Sequence, residues 1–181
     1  EVVPYVSQQP YFLYVARIEA SKGLMTLLRA FRLYYRNGGT NRLLVVGKPC
    51  GLYSLWCKAY VRLAGLQKCV SFAGYRSDVY SLMAGAEAFV MTSLSEGFGL
   101  TTAEAMLNRC LVIARNTAGS KEQLDRGLAL TGSEIGLRFD IGRIDAAAHR
   151  CGPDNGIARQ GDGAGIQQGI LGRVAAVQRI V

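Results

Sequence analysis

Short apolar runs alternate along the chain with longer segments whose apolar residues recur every three or four positions. YFLYVAR (11–17) is compact, aromatic and branched, and predicts a buried strand. SKGLMTLLRAFRLYYRNGG follows. Its Leu24, Leu27, Leu28, Phe31, Leu33 and Tyr35 supply a broad apolar face, with Arg29, Arg32 and Arg36 on another, and Gly38-Gly39 as the stop. RLLVVG (42–47) is a second strand and LYSLWCKAYVRLAG (52–65) a second helix, in which Trp56, Tyr53 and Tyr60 are expected to pack into the core. CVSFAG (69–74) is a third strand, and SDVYSLMAGA (77–86) a short helix with Ser77 as N-cap. AFVMTS (88–93) is a fourth strand, followed by a helix from about Gly99 through Met106. LVIARN (111–116) is a fifth strand, and SKEQLDRG (120–127) a last short helix.

Strands apolar on both faces, each followed by a helix, describe a parallel sheet covered on both sides. With right-handed crossovers the expectation is an α/β, Rossmann-like, doubly wound parallel sheet in a single domain over 11–139. Ligands of such sheets bind beyond the carboxyl ends of the strands. The loops after Arg17, Gly47, Gly74, Ser93 and Asn116 are therefore the candidates. Residues 1–10 read as an interdomain lead-in. From 140 to 181 the chain turns glycine-rich and loses its aromatics, which predicts a flexible tail; GDGAG within it is too weak a phosphate-loop echo to use.

Charge narrows the partners. The chain has 21 Lys and Arg against 13 Asp and Glu, a formal net charge of +8. That balance suits anionic ligands without choosing among nucleotides, nucleic acid and anionic lipid. The stripe Arg29/Arg32/Arg36 beside Tyr34 and Tyr35 could meet lipid or nucleic acid, but reads first as a solvated helix face. The lone His149 removes most histidine-based chemistry, and no metal site is expected. Five cysteines without a CxxC pair suggest thiols in a reducing cytosol, and Cys110 is read as a buried thiol rather than a nucleophile. No apolar run is long enough to span a bilayer.

The chemistry concentrates in two loops. SLSEGFGLTTAEAM (93–106) carries Glu96 before a glycine-bearing turn and Glu104 inside the helix that follows. Gly97 and Gly99 let a ligand approach the backbone, and the first-turn amides offer an anion site. Each carboxylate can accept hydrogen bonds from vicinal hydroxyls, so phosphate plus sugar suggests a nucleotide sugar. The plain alternative is a pair of helix-terminus carboxylates facing water. YVARIEASKG places Arg17 at a strand end and Lys22 at the next helix start; two cations there would neutralise a diphosphate, or would be ordinary surface charges.

In this order, YVARIEASKG, LLVVG, VSFAG, AFVMTSLSEGFGLTTAEAM and LVIARNTAGSKEQL resemble the C-terminal, donor-binding domain of retaining family 4 glycosyltransferases of the GT-B fold. The resemblance spans about residues 11–139. It implies that Arg17 and Lys22 bind the donor diphosphate and that Glu96 contacts the sugar, these three forming the catalytic set. Backbone from Gly97 through Phe98, Gly99 and Leu100 to Thr101 would meet sugar and phosphate, and Glu104 the ribose. Gly74, Tyr75 and Arg76 would frame the base, with Gly47 nearby. Ala16, Arg109 and Leu111 stand where the family usually has glycine or proline, and TAGSKE replaces a common Gly-Gly pair, with Lys121 an extra cation. The resemblance further implies a hexose transfer from a nucleoside diphosphate sugar, with no cofactor, to a glycan or lipid-linked acceptor in bacterial surface polysaccharide synthesis. Attack would come from the front face, assisted by the leaving phosphate. An N-terminal acceptor domain would be missing, so the fragment is expected to be inactive alone. The expected location is the cytoplasm, with peripheral contact at the inner membrane face through the intact enzyme. A non-catalytic nucleotide-binding module remains the alternative, and no motif supports nucleic-acid binding.

Overall fold

The structure, a computed structural model, describes residues 2–132 and 135–140. Six parallel strands, β1 (Tyr11–Val15), β2 (Arg42–Val46), β3 (Val70–Gly74), β4 (Ala88–Met91), β5 (Val112–Arg115) and β6 (Gly136–Phe139), form one sheet in the order β3-β2-β1-β4-β5-β6. Helices α1 (Leu24–Arg36), α2 (Gly51–Leu63), α3 (Val79–Gly85), α4 (Leu100–Leu107) and α5 (Ala118–Thr131) connect them. The α/β Rossmann-like sheet expected from the alternation is present.

Period-two alternation along β1 divides the core. Phe12 and Tyr14 join Leu27, Leu28 and Phe31 of α1 and Cys57 and Val61 of α2. Tyr11 and Leu13 join Leu82 and Met83 of α3, Ala105 of α4 and Leu124 of α5. Thus α1 and α2 cover one face, and the three later helices the other. The chain changes face between β3 and β4, so β1 and β4 lie side by side with their following helices on opposite faces. A crevice opens at that point, at the carboxyl ends of the two strands.

Several local expectations are corrected. Leu33 and Tyr35 point to solvent, while Tyr34 is buried and its hydroxyl accepts the Asn41 amide at 3.0 Å. Trp56 is 70% exposed rather than packed in the core; Tyr53 and Tyr60 are half-buried. The cap of α3 is Asp78, not Ser77, and Asp78 pairs with Arg76 instead of capping. Helix α5 runs past Gly127, whose missing side chain makes room for Ile135. Strand β6 was not anticipated. Cys110 is buried, as expected. The lead-in residues are exposed, though the Tyr5 amide bonds to the Ser81 carbonyl at 2.8 Å. The expected tail, with His149, Cys151 and GDGAG, lies outside the described residues except for Asp140.

One turn sets the crevice. A 3-10 turn, Ala20–Lys22, ends at Gly23 with φ of 68°. A Cβ at Gly23 would sit 2.1 Å from the Thr92 carbonyl oxygen. Only glycine permits both the left-handed backbone and that approach. Gly38 also has a positive φ, 85°, but faces open space. Gly23→Ala is therefore expected to lower unfolding free energy by about 2–4 kcal/mol, and Gly38→Ala by only about 1 kcal/mol. Urea midpoints measure both, and equal losses would contradict this packing.

Candidate functional site

Two loops meet at the crevice. The turn after β1 is held against the exit of β4 by backbone and side chain together. The Leu94 amide donates to the Ser21 carbonyl at 2.8 Å. The Lys22 carbonyl accepts from the Thr92 hydroxyl and the Tyr14 phenol, each at 3.2 Å. Burial pushes the Tyr14 phenol far above its usual range, so it stays protonated and able to donate. On this frame the Lys22 ammonium meets the Glu96 carboxylate at 2.8 Å, with both side chains largely shielded from solvent.

The electrostatics of Glu96 follow from its neighbours. Burial opposes its ionisation, but hydrogen bonds from Lys22 and Ser93, with the Lys22 charge, outweigh that and hold the carboxyl below its ordinary range. At neutral pH the group is a carboxylate with a cation at hand.

The loop from Ser93 to Gly99 is gripped from its other side by α5. The Gly119 amide donates to the Glu96 carbonyl at 3.1 Å. A Cβ at Gly119 would come within 2.6 Å of the Phe98 carbonyl, so the helix start approaches as closely as it does because this residue is glycine. The Gln123 side-chain amide donates to the carbonyls of Phe98 and Gly99. Thr117 and Ser120 close a reciprocal capping box at the same helix start. Sequence reasoning missed Gln123, Ser93 and the role of Gly119. The only available signal was the Gly119-to-Gln123 spacing of one helical turn, and that does not say which loop it grips.

The cleft between the loops has a volume of about 360 Å³, within the span of small-molecule sites. Arg17, Lys22, Glu96, Phe98, Gly99, Leu100 and Thr101 all line it, so seven of the sequence-predicted residues converge there. Gly99 caps α4 in the left-handed region, and no side chain caps that helix. Its first turn thus presents amides and the positive dipole end toward the cleft. Arg17 is exposed and pairs with Glu19 at 3.2 Å.

The remaining predicted residues are not among those that line this cleft. Gly97 is exposed on the loop. Glu104, on α4, accepts the Tyr80 hydroxyl at 3.3 Å. Gly74, Tyr75 and Arg76 leave the end of β3, the edge strand two places from β1. Tyr75 is exposed, and Arg76 is bound to Asp78. Gly47 has a structural reason for its identity, since a Cβ there would lie 1.7 Å from the Ala16 carbonyl oxygen.

Known proteins resemble this chain in sequence and fold. Residues 3–150 match the family model described as glycosyl transferases group 1. The serotype-specific mannosyltransferase WbdA of Escherichia coli is 31% identical over 115 residues, which are 62% of this chain and 14% of that protein. The lipopolysaccharide outer core galactosyltransferase WaaB, in apo form, superposes with a TM-score of 0.63 at 26% identity, covering 80% of this chain and 40% of WaaB. Anabaena Alr3699/HepE, solved in complex with UDP, gives 0.64 at 24% identity over 74% of this chain and 36% of its own, a likeness of fold. The chain thus spans less than half the length of each of these relatives.

The Lys22–Glu96 pair makes stability depend on pH. Because the folded carboxyl titrates below the unfolded one, the contribution is complete above the ordinary glutamate value of about 4.3 and is lost as pH falls through the folded value. Lys22→Met removes the cation and leaves burial to act more strongly, so the Glu96 carboxyl rises. Carbon-detected NMR titration should show Glu96 below the ordinary range in the parent and higher in the variant. An unchanged midpoint would contradict the pairing.

Proposed function

The chain belongs to the group 1 glycosyl transferases, and from that premise we propose that it is the donor-binding half of a retaining hexosyltransferase. Its donor is a nucleoside diphosphate sugar, and its acceptor a glycan or lipid-linked saccharide of bacterial surface polysaccharide synthesis. One observation carries the reading. A shielded Lys–Glu pair lies in a cleft at the point where the sheet changes face, beside an uncapped helix start.

The chemistry follows from charge. In the free protein Lys22 and Arg17 are each occupied by a carboxylate, Glu96 and Glu19. A donor diphosphate competes for both cations and brings its negative charge to the α4 amides. Lys22 then exchanges Glu96 for phosphate, and the released carboxylate is free to accept hydrogen bonds from the sugar hydroxyls. Losing Lys22 and gaining a phosphate neighbour both raise the Glu96 carboxyl, so the Ser93 hydrogen bond and those from the sugar hydroxyls are what favour its charged form after the exchange. Glu104, one helical turn beyond the amides, takes the ribose hydroxyls, and the loop from Gly74 to Arg76 frames the base. As the glycosidic bond to the diphosphate breaks, negative charge grows on the leaving oxygen. Arg17, Lys22 and the helix start are placed to stabilise that charge more than the ground state.

The acceptor is met by residues outside this domain, and the chain alone is read as binding nucleotide with little or no turnover. The named relatives support the class: a mannosyltransferase, a lipopolysaccharide galactosyltransferase and a protein solved with UDP. The proposed nucleotide-sugar donor favours the cytoplasmic reading of the reaction.

Calorimetry with UDP, GDP and ADP tests this. One of the three should bind, and Lys22→Ala should weaken it by about 10–100-fold, the loss of a charge-assisted contact of roughly 1.5–3 kcal/mol. Glu104→Ala should weaken nucleoside diphosphates and leave inorganic pyrophosphate unaffected. No binding by any of the three, with the fold intact, would overturn the reading.

A further inference from the structure

Helix α2 is apolar on two opposite faces. Ser54, Cys57 and Val61 face the sheet. Leu52, Leu55, Trp56, Ala59 and Leu63 recur at helical spacing on the far side and are exposed, Trp56 by 70% and Leu63 by 89%. A helix dressed this way has a second apolar surface to cover.

The charge around this ridge is one-sided. From Ala20 to Ser77 the sequence contains ten Lys or Arg and no Asp or Glu. The rest of the chain then holds 11 Lys or Arg against 13 Asp or Glu, a net charge of −2, so the whole basic excess belongs to this segment. That segment carries α1, β2, α2 and β3, the flank of the sheet with the ridge; of its cations, Lys22 and Arg76 pair instead with Glu96 and Asp78. Lys58 and Arg62 border the ridge on α2, and both are exposed. The Lys58 ammonium lies 5.9 Å from the Phe72 ring centre, on the β3 side. On the other side α1 packs against α2, where the Met25 amide donates to the Tyr53 hydroxyl at 2.9 Å, and Arg29, Arg32 and Arg36 form its exposed row. An apolar ridge therefore runs between two basic rows.

We propose that the α1–α2 flank is a docking surface for an anionic lipid bilayer, with Leu52, Leu55, Trp56 and Leu63 entering the headgroup–acyl boundary and the flanking cations meeting the headgroups. The amphipathic logic is that of an interfacial helix: apolar burial from the ridge, Coulomb attraction from the rim. Among the described residues no helix is long and apolar enough to cross a membrane, so the contact is at the surface. A second copy of this chain fits poorly, because a symmetric pairing brings two surfaces of the same sign together. Nucleic acid fits poorly as well, because three leucines stand where stacking or hydrogen-bonding groups would be needed. With α1 and α2 flat on the bilayer, the carboxyl edge of the sheet opens along the membrane plane, where a lipid-linked acceptor would lie. That consequence rests on the proposed function; the docking itself does not.

Trp56 is the only tryptophan in the chain, so it reports on its own burial. The full chain is mixed with vesicles of phosphatidylcholine alone, or of phosphatidylcholine with phosphatidylglycerol. Emission should shift to the blue and be quenched by brominated lipid on the anionic vesicles, and much less on the neutral ones. Lys58→Ala with Arg62→Ala should weaken binding by roughly 25-fold, about fivefold per cation. Leu55→Asp with Leu63→Asp should abolish the shift while circular dichroism and the affinity for whichever of UDP, GDP and ADP binds stay at the parent values. Retained nucleotide binding without vesicle binding would overturn the docking surface and leave the donor site standing. A blue shift that grows with protein concentration in the absence of lipid would assign the ridge to self-association. A shift produced by an oligonucleotide but not by vesicles would assign it to nucleic acid. Either result would sink the proposal.

Discussion

The contact on which the crevice depends is the seat of the 20–23 turn against the exit of β4. Parallel pairing brings β1 beside β4 but does not dictate where their loops go. Helices on opposite faces pull the two connections apart. Gly23 lets the first loop lie directly on the Thr92 carbonyl, and the Leu94, Thr92 and Tyr14 donors lock it there. Lys22 is thereby delivered to Glu96 across 74 residues of sequence. From the other side, Gly119 and Gln123 hold the Glu96 loop by its carbonyls. The pair is thus built on backbone contacts made from two sides. A carboxylate kept charged while partly shielded needs such a frame, since a loosely held cation would let burial protonate it.

Much of the fold was legible because the first five strands are short and largely apolar on both faces, as a covered parallel sheet requires. What was misread shares one cause. A helical pattern shows that apolar residues lie on a face, but not which face meets the core when two are apolar. Leu33 and Tyr35 on α1 and Trp56 on α2 were therefore put inside, and they point out. Tyr34 belonged to the core because its hydroxyl had the Asn41 amide to satisfy. Strand β6 escaped notice because Gly136–Phe139 has only two apolar side chains on one face, and its Arg138 points the other way, to Asp125 at 2.7 Å on α5. In the site, motif spacing found Arg17, Lys22, Glu96 and the start of α4. It could not find Gln123 or Ser93, whose parts depend on long-range packing.

The charge of the molecule divides between two tasks. Few cations serve the cleft, and in the free protein Lys22 and Arg17 are already neutralised by neighbouring glutamates. Most of the basic excess lies elsewhere, on the flank formed by α1 and α2. An overall positive charge was consistent with any anionic ligand; its distribution separates a compact, carboxylate-paired site from a broad basic surface. The first suits a ligand that must displace something to bind, and so be selected. The second suits a partner met over an area.

The central claim is that a diphosphate displaces Glu96 from Lys22 at the start of α4. Nitrogen-15 NMR during a titration with UDP and GDP reads this residue by residue. The account predicts that the largest amide shifts fall on Lys22, Gly23 and Gly97 through Thr102, with a concurrent change at the Lys22 ammonium. Shifts confined to the β5–β6 edge around Asp125 and Arg138, or binding that leaves the Lys22 ammonium unmoved, would contradict it.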